Sequence, residues 1–361
     1  MKVLANGATM KLSLKRVMIG GGLLAAIGIV VLVSGVVPVK ASSGHWPITS
    51  WLLDFASDRS IAFHARDVDV PDLERSEFLT LGAATYDSNC RFCHGAPGRQ
   101  QPPVARGMTP TPPLLRDNIS QMEDRELFYI IKHGIKFAGM PAWPSQKRDD
   151  EIWPVVAFLR ESTNMSYHEY LDRVVAELPE DTREIARCVA CHGAQDGVRE
   201  SERIPVLQGL NRDYLIASLR AYRSGERASG VMMPVAHRMS DEDIAAFASY
   251  YADAKPTPPA TTEDVDESSV ELGQRLATQG DRKRKIPSCV DCHAMKGSPK
   301  RGDYPVLAGQ PKWYLRNQLE LFAKKNRGGA KATLMYPIAD KLSKSERDAL
   351  ASYFANVPSD D

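Results

Sequence analysis

Three short runs hold every cysteine of this chain: "CRFCH" at Cys90–His94, "CVACH" at Cys188–His192 and "CVDCH" at Cys289–His293. The count is six, so no cysteine is left over for a structural disulfide. Two thiols one helical turn apart, followed at once by an imidazole, suit one chemistry above others. Each thiol adds to a vinyl group of a haem, and the histidine comes to lie under the iron as an axial ligand. On this reading Cys90, Cys93, Cys188, Cys191, Cys289 and Cys292 are covalent attachment points and His94, His192 and His293 are proximal ligands. The count of bound haem c groups is then three. A redox dithiol does not need the histidine, and a zinc site usually pairs two such half-motifs at short separation. Here the motifs stand about 100 residues apart.

The second axial ligand decides between an electron carrier and a catalyst. A methionine thioether raises the potential and closes the iron to substrates. "FAGMPAW" offers Met140, 46 residues after His94, with glycine before it and proline after it. Met232 and Met335 follow His192 and His293 by 40 and 42 residues. Both stand in a repeated M-x-P-[VI]-A run, whereas Met233 aligns with Tyr336 and Met239 with Leu342. Met122 is placed on a helix as core packing. Five histidines lie outside the motifs: His45, His64, His133, His168 and His237. Each is read as a surface or supporting residue. A proximal imidazole is usually oriented by a hydrogen bond from its other nitrogen. The carbonyls of Pro205 and Pro305, and of Pro113 in the first unit, are the expected acceptors.

These ligands need elements to hold them, and the sequence repeats itself to supply them. "IPVLQGLNRDYLIASLRAY" from Ile204 matches "YPVLAGQPKWYLRNQLELF" from Tyr304. "MMPVAHRMSDEDIAAFASYYA" from Met232 matches "MYPIADKLSKSERDALASYFA" from Met335. Ser240 and Ser343 are placed as helix N-caps, with a capping box at Glu346. Apolar stripes follow at Ile244, Phe247 and Tyr251, and at Leu350, Tyr353 and Phe354. The first unit is a more distant copy. In it Gly82, Tyr86 and Cys90 share one helix face, and Pro154 is expected near a helix start. No strand signal of any length is present. The expectation is an all-α chain of three tandem domains, 73–165, 166–254 and 269–361, with a Pro/Thr/acid-rich linker at 255–268.

The N-terminal residues 1–16 carry Lys2, Lys11, Lys15 and Arg16 and no acid. Ile19 to Val39 then runs 21 residues without a charge, long enough to cross a bilayer. It is read as a transmembrane anchor over 17–39, with the basic residues 1–16 in the cytoplasm and everything after it exported. The small residues around Ala41 also fit a cleaved signal. Residues 40–72 are read as an interfacial or linker segment, because Trp46 and Trp51 suit the membrane interface.

Taken together, residues 73–361 resemble the class I cytochromes c. Residues 181–358 are similar to the tandem dihaem cytochromes c of the bacterial periplasm, the c-four type, through C-x-x-C-H-G/A, P-V-L-x-G, the Tyr-Leu helix and M-x-P-[VI]-A-x-[KR]-[LM]-S. Residues 75–165 resemble a monohaem cytochrome c domain with a "GMPAW" ligand loop. The resemblance implies small all-α domains with His/Met-ligated haem, and two haems facing each other across the interface of units two and three. One departure is in unit two, whose leading helix "LPEDTREIARC" lacks the glycine that stands at Gly82 and Gly273.

Three irons closed on both sides imply a conductor of electrons and not a site of bond-making. The expectation is a single-pass protein of the bacterial inner membrane with its haem domains in the periplasm, working in a respiratory chain. Its partners would be a quinol-oxidising complex or dehydrogenase and a terminal oxidase. Alternatives are a fixed cytochrome subunit of a dehydrogenase or oxidase complex, and a dihaem-type peroxidase. The net charge of +1 gives no case for nucleic acid. It is unevenly spread: residues 66–170 hold 12 basic and 15 acidic side chains, 171–254 hold 10 and 14, and 270–361 hold 17 and 10. A basic last unit could steer an acidic partner.

Overall fold

The computed structural model describes residues 13–174, 185–195, 201–255, 266–293, 302–329 and 331–357. Among them every regular element is a helix, apart from two isolated β-bridges, Ile135–Met140 and Asp281–Ile286. The leading segment of unit two, most of it in 175–184, and residues 256–265 of the linker expected at 255–268 lie outside the described residues. The end of that linker, Glu267 and Ser268, instead opens a helix capped by Asp266.

Helix α1 (Leu14–Val33) opens on Ser13, whose Oγ accepts from the Arg16 amide. An 18-residue window of this 20-residue helix has mean hydropathy 2.3, and none of its residues is buried. At 1.5 Å per residue that is about 30 Å, the thickness of a hydrocarbon core. The helix stops at Val33 and not at Val39, because Gly35 takes φ +70° and Pro38 cannot continue it. Helix α2 (Pro47–Ala65) starts with proline at its first turn, a position that suits the residue. Its far end packs on unit one through Ile61 and Ala65, which are buried. Residues 61–68, expected to be linker, are therefore docked.

Unit one contains α3 (Ser76–Asn89), α4 (Arg91–His94), α5 (Pro103–Arg106), α6 (Leu115–Ile119), α7 (Asp124–His133), α8 (Ile152–Ser162) and α9 (Tyr167–Val174). Helix α3 crosses α8 at Gly82, where a Cβ would collide with Pro154 O and Phe158. Only glycine allows backbones so close. Helix α9 corrects the boundary expected at 165/166. Tyr170 is fully buried in the unit-one core beside Tyr86 and Phe158, and its hydroxyl donates to Asp87 at 2.6 Å. Met122 packs on this core from the turn before α7, not from a helix.

Unit two has α10 (Ala186–His192), α11 (Arg212–Arg223), α12 (Met232–His237) and α13 (Asp241–Ala252). Unit three has α14 (Glu267–Gln279), α15 (Val290–His293), α16 (Lys312–Ala323), α17 (Ala332–Ala339) and α18 (Lys344–Asn356). Leu215, Leu219, Ile244, Phe247 and Tyr251 form the core of unit two, and Leu276, Leu315, Leu350, Tyr353 and Phe354 that of unit three. The copies agree in detail. Gly209 N donates to Tyr251 O and Gly309 N to Phe354 O, both at 2.9 Å. Helix α14 meets α18 at Gly273 as α3 meets α8 at Gly82. Both α13 and α18 carry full capping boxes, so Asp243 does for Ser240 what Glu346 does for Ser343.

Candidate functional site

Helix α4 closes at Gly95 (φ +77°) and α10 at Gly193 (φ +75°). A glycine in this conformation ends the helix and leaves the histidine on its last turn. None of the six half-buried thiols is in a disulfide. Burial, with a neighbouring motif thiol adding to it, pushes Cys90 up to about 12; burial pushes Cys191 up to about 11, and burial chiefly does the same for Cys289. Such thiols stay neutral, which suits neither a metal thiolate nor a redox dithiol. Among the described residues no three His, Cys, Asp or Glu side chains converge as a metal site, so the zinc reading finds no ligand set there.

The three imidazoles share one geometry. Nδ1 of His94 lies 3.0 Å from Pro113 O, that of His192 3.2 Å from Pro205 O, and that of His293 3.0 Å from Pro305 O. A carbonyl only accepts, so Nδ1 carries the proton and Nε2 keeps its lone pair. Burial lowers the pKa of His94 and of His293, with the carbonyl contact opposing it, so both are neutral at physiological pH. A neutral imidazole with one orienting bond is the form that ligates iron.

The methionines sit in two kinds of support. Met140 is in the Ile135–Met140 bridge, framed by Gly134 (φ +65°) and Gly139 (φ +74°). Met232 begins α12 and Met335 lies inside α17, with Pro337 two residues on. All three are half-buried. The M-x-P-[VI]-A run is thus helical and not a loop. The other histidines, His45, His64, His133, His168 and His237, are all exposed.

One cavity of about 1320 Å³ joins the second and third sets. Its walls include Cys188, Cys191, His192 and Met232 on one side and Cys289, Cys292, His293 and Met335 on the other. It is larger than the roughly 300–1,000 Å³ usual for a small-ligand pocket. Cys90, Cys93, His94 and Met140 do not line it, although Asn89, Arg91, Phe92 and Gly95 beside them do. The cavity wall also carries buried charge. Arg227 is buried and donates to Ser218 at 3.2 Å, to Tyr314 at 3.3 Å and to Gln318 at 3.4 Å. Arg327 donates to Gln318 at 2.6 Å and to Tyr214 at 3.3 Å. No carboxylate partner for either is found among the described residues. Burial raises the Tyr214 phenol, but Arg227 and Arg327 outweigh it and bring it down to about 8. Burial and Arg227 together push Arg327 down. A buried guanidinium beside a half-buried one, with no anion among the described residues, is costly. A haem brings two propionate carboxylates, so an apolar cavity with reduced thiols, oriented imidazoles and two uncompensated guanidinium groups fits that group.

Sequence reasoning missed these two arginines and the tyrosines Tyr214 and Tyr314, although the repeat places each pair 100 positions apart. It also missed the seams between units. Arg203 lies between the rings of Phe78 at 4.1 Å and Trp313 at 3.8 Å, which come from units one and three. Gln310 exchanges two hydrogen bonds with the Val206 backbone, at 3.1 and 2.8 Å.

Known proteins match in two places and at two levels. The family model described as cytochrome c oxidase, cbb3-type, subunit III matches residues 78–159, and the cytochrome c model matches residues 270–358. A thiosulfate dehydrogenase electron acceptor of Stutzerimonas stutzeri is 36% identical over 170 residues, 47% of this chain and 78% of that protein. A thiosulfate dehydrogenase electron acceptor of Thiomonas intermedia is 31% identical over 175 residues, 48% of this chain and 80% of that protein. Cytochrome c4 of Pseudomonas aeruginosa is 32% identical over 176 residues, 48% of this chain and 84% of that protein. The chain belongs to the c-type cytochromes, electron-carrying proteins with covalently bound haem c, and within them it resembles the c4 type.

Proposed function

We propose that this chain is a membrane-anchored trihaem cytochrome that relays electrons through the periplasm. Haem c supplies a one-electron iron couple when bound. In this reading Cys90/Cys93, Cys188/Cys191 and Cys289/Cys292 attach it. His94 with Met140, His192 with Met232, and His293 with Met335 are the axial pairs, and Pro113, Pro205 and Pro305 orient the imidazoles. The observation that carries the reading is the repeated set itself: three times two half-buried thiols, an imidazole with Nδ1 on a proline carbonyl, and a half-buried downstream methionine. Domains one, two and three correspond to the packed units, with α9 assigned to the first.

The anchor is supported by α1 and by the helix after it. Ile48, Trp51, Leu52 and Phe55 form an i, i+3, i+4, i+7 stripe on α2 and are all more than half exposed. The stripe lies N-terminal to Ile61 and Ala65, the buried residues that hold unit one. Exposed apolar and tryptophan side chains next to a span suit the membrane interface. Donor and acceptor are read from chemistry and likeness together. Two relatives are named as electron acceptors of thiosulfate dehydrogenase, and the first unit matches a cbb3-type oxidase subunit model. A periplasmic dehydrogenase or quinol-oxidising complex would donate and a terminal oxidase accept. The second reading, a fixed subunit of one such complex, draws on the same match of residues 78–159. A spectropotentiometric titration of the detergent-solubilised full chain tests the proposal. Three low-spin, methionine-ligated transitions are expected. A high-spin component with rapid peroxide turnover would favour the peroxidase alternative instead.

A further inference from the structure

We infer that Glu151, a residue of unit one, positions the methionine of unit two; this rests on the three-haem reading above. Glu151 is only 5% exposed. Its Oε1 accepts from Ser229 Oγ at 2.6 Å, and its Oε2 accepts from the Gly230 amide at 2.6 Å. The same Ser229 oxygen accepts from the amides of Met232 at 2.9 Å and Val231 at 3.3 Å. A chain of two hydrogen bonds therefore runs from a carboxylate of the first unit to the backbone of Met232. Arg148 completes the clamp. It pairs with Glu151 at 2.8 Å and donates to Ala228 O at 3.1 Å. Asn89, next to Cys90, donates to Gly230 O at 3.1 Å. Trp143 packs so tightly on Gly230 that a Cβ there would collide with its indole.

The turn before Met232 is thus held from outside its own unit. Its counterpart before Met335 is held differently: a Cβ on Gly328 would run into Glu226 O of unit two. Two copies of one repeat differ in what fixes the ligand-bearing turn. Buried, fully satisfied hydrogen bonds specify geometry, and thioether placement sets a haem potential. Unit one therefore tunes the second site by contact, in addition to carrying its own.

The test uses the full-length holoprotein, its haem count checked by mass, with S229A and E151Q beside the parent. S229A removes the hydroxyl relay without changing charge or leaving Arg148 unpaired, so it separates positioning from electrostatics and serves if E151Q does not fold. Each variant is expected to change one of three haem reduction equilibria at least threefold, about 30 mV at roughly 59 mV per tenfold for one electron. The methionine-to-iron charge-transfer band should weaken, and the other two midpoints should stay in place. Three unchanged midpoints in S229A with all haems attached overturn the inference, as does an equal shift of all three. Absence of haem on Cys188 and Cys191 in the parent overturns the three-haem reading as well.

Discussion

Single residues at these sites have separable spectroscopic consequences. Replacing Met335 by leucine keeps the volume but removes the thioether. On the proposed trihaem reading, one of three haem signals should turn high-spin and its potential fall, while the other two persist, as read by visible absorption and redox titration. Arg227→Gln should act differently. It removes one buried cation from the cavity wall, where Tyr314, Gln318 and Ser218 are its partners. The propionates it would face lose their counter-charge, so a potential should drop with ligation unchanged. Many of these residues were legible in the sequence. Cys-x-x-Cys-His and M-x-P-[VI]-A are local strings whose chemistry demands fixed spacing. Glu151 was not, because its meaning depends on Ser229, 78 positions away, with no period to connect them. Arg227 and Arg327 carry the repeat's 100-residue period, but an arginine at a repeated position says nothing of the burial and the tyrosine partners that give it meaning.

Among the helices, close crossings and caps hold the ligands in place. Gly273→Ala would push a Cβ into Ala349 O and Tyr353 across the α14/α18 crossing. A cost of about 1–3 kcal/mol is expected, seen as a lower thermal midpoint. Gly82→Ala should behave alike in unit one. The N-terminus of α18 gives a pH-dependent prediction. Arg284, followed by the Ser343 amide, holds the Glu346 carboxyl down at about 2, below its usual 4.5. A depressed carboxyl stabilises the fold fully above its unfolded pKa and loses that contribution as pH falls through the folded one. The window here runs from pH 4.5 down to about 2. Glu346→Gln keeps a capping-box acceptor but loses the charge facing Arg284. It should therefore lower the thermal midpoint at neutral pH slightly, by less than about 1 kcal/mol of stability for a pair whose arginine is exposed, and flatten its fall across that window. The capping serines and apolar stripes were readable from sequence because a helix imposes a period. The ends of helices were less so. Met122 left its expected helix, α1 stopped at Val33, and α9 joined unit one because Tyr170 fits the core beside Tyr86 and Phe158.

In the molecule as a whole, three units pack against one another and charge is graded along them. Arg203, between Phe78 and Trp313, joins all three. The last unit holds 17 basic and 10 acidic side chains, against 12 and 15 in residues 66–170. If that basic surface steers an acidic partner, transfer to it should slow several-fold from low to high salt, because screening acts on encounter. A rate indifferent to ionic strength would remove the steering idea and leave the relay intact. The relay itself stands on one chain carrying three covalently attached haems. Peptide mass analysis of protein matured in a host competent for haem attachment decides the matter. The peptides bearing Cys90–Cys93, Cys188–Cys191 and Cys289–Cys292 should each be heavier by one haem. Any of the three recovered only as bare peptide, from fully matured protein, would refute the trihaem assignment.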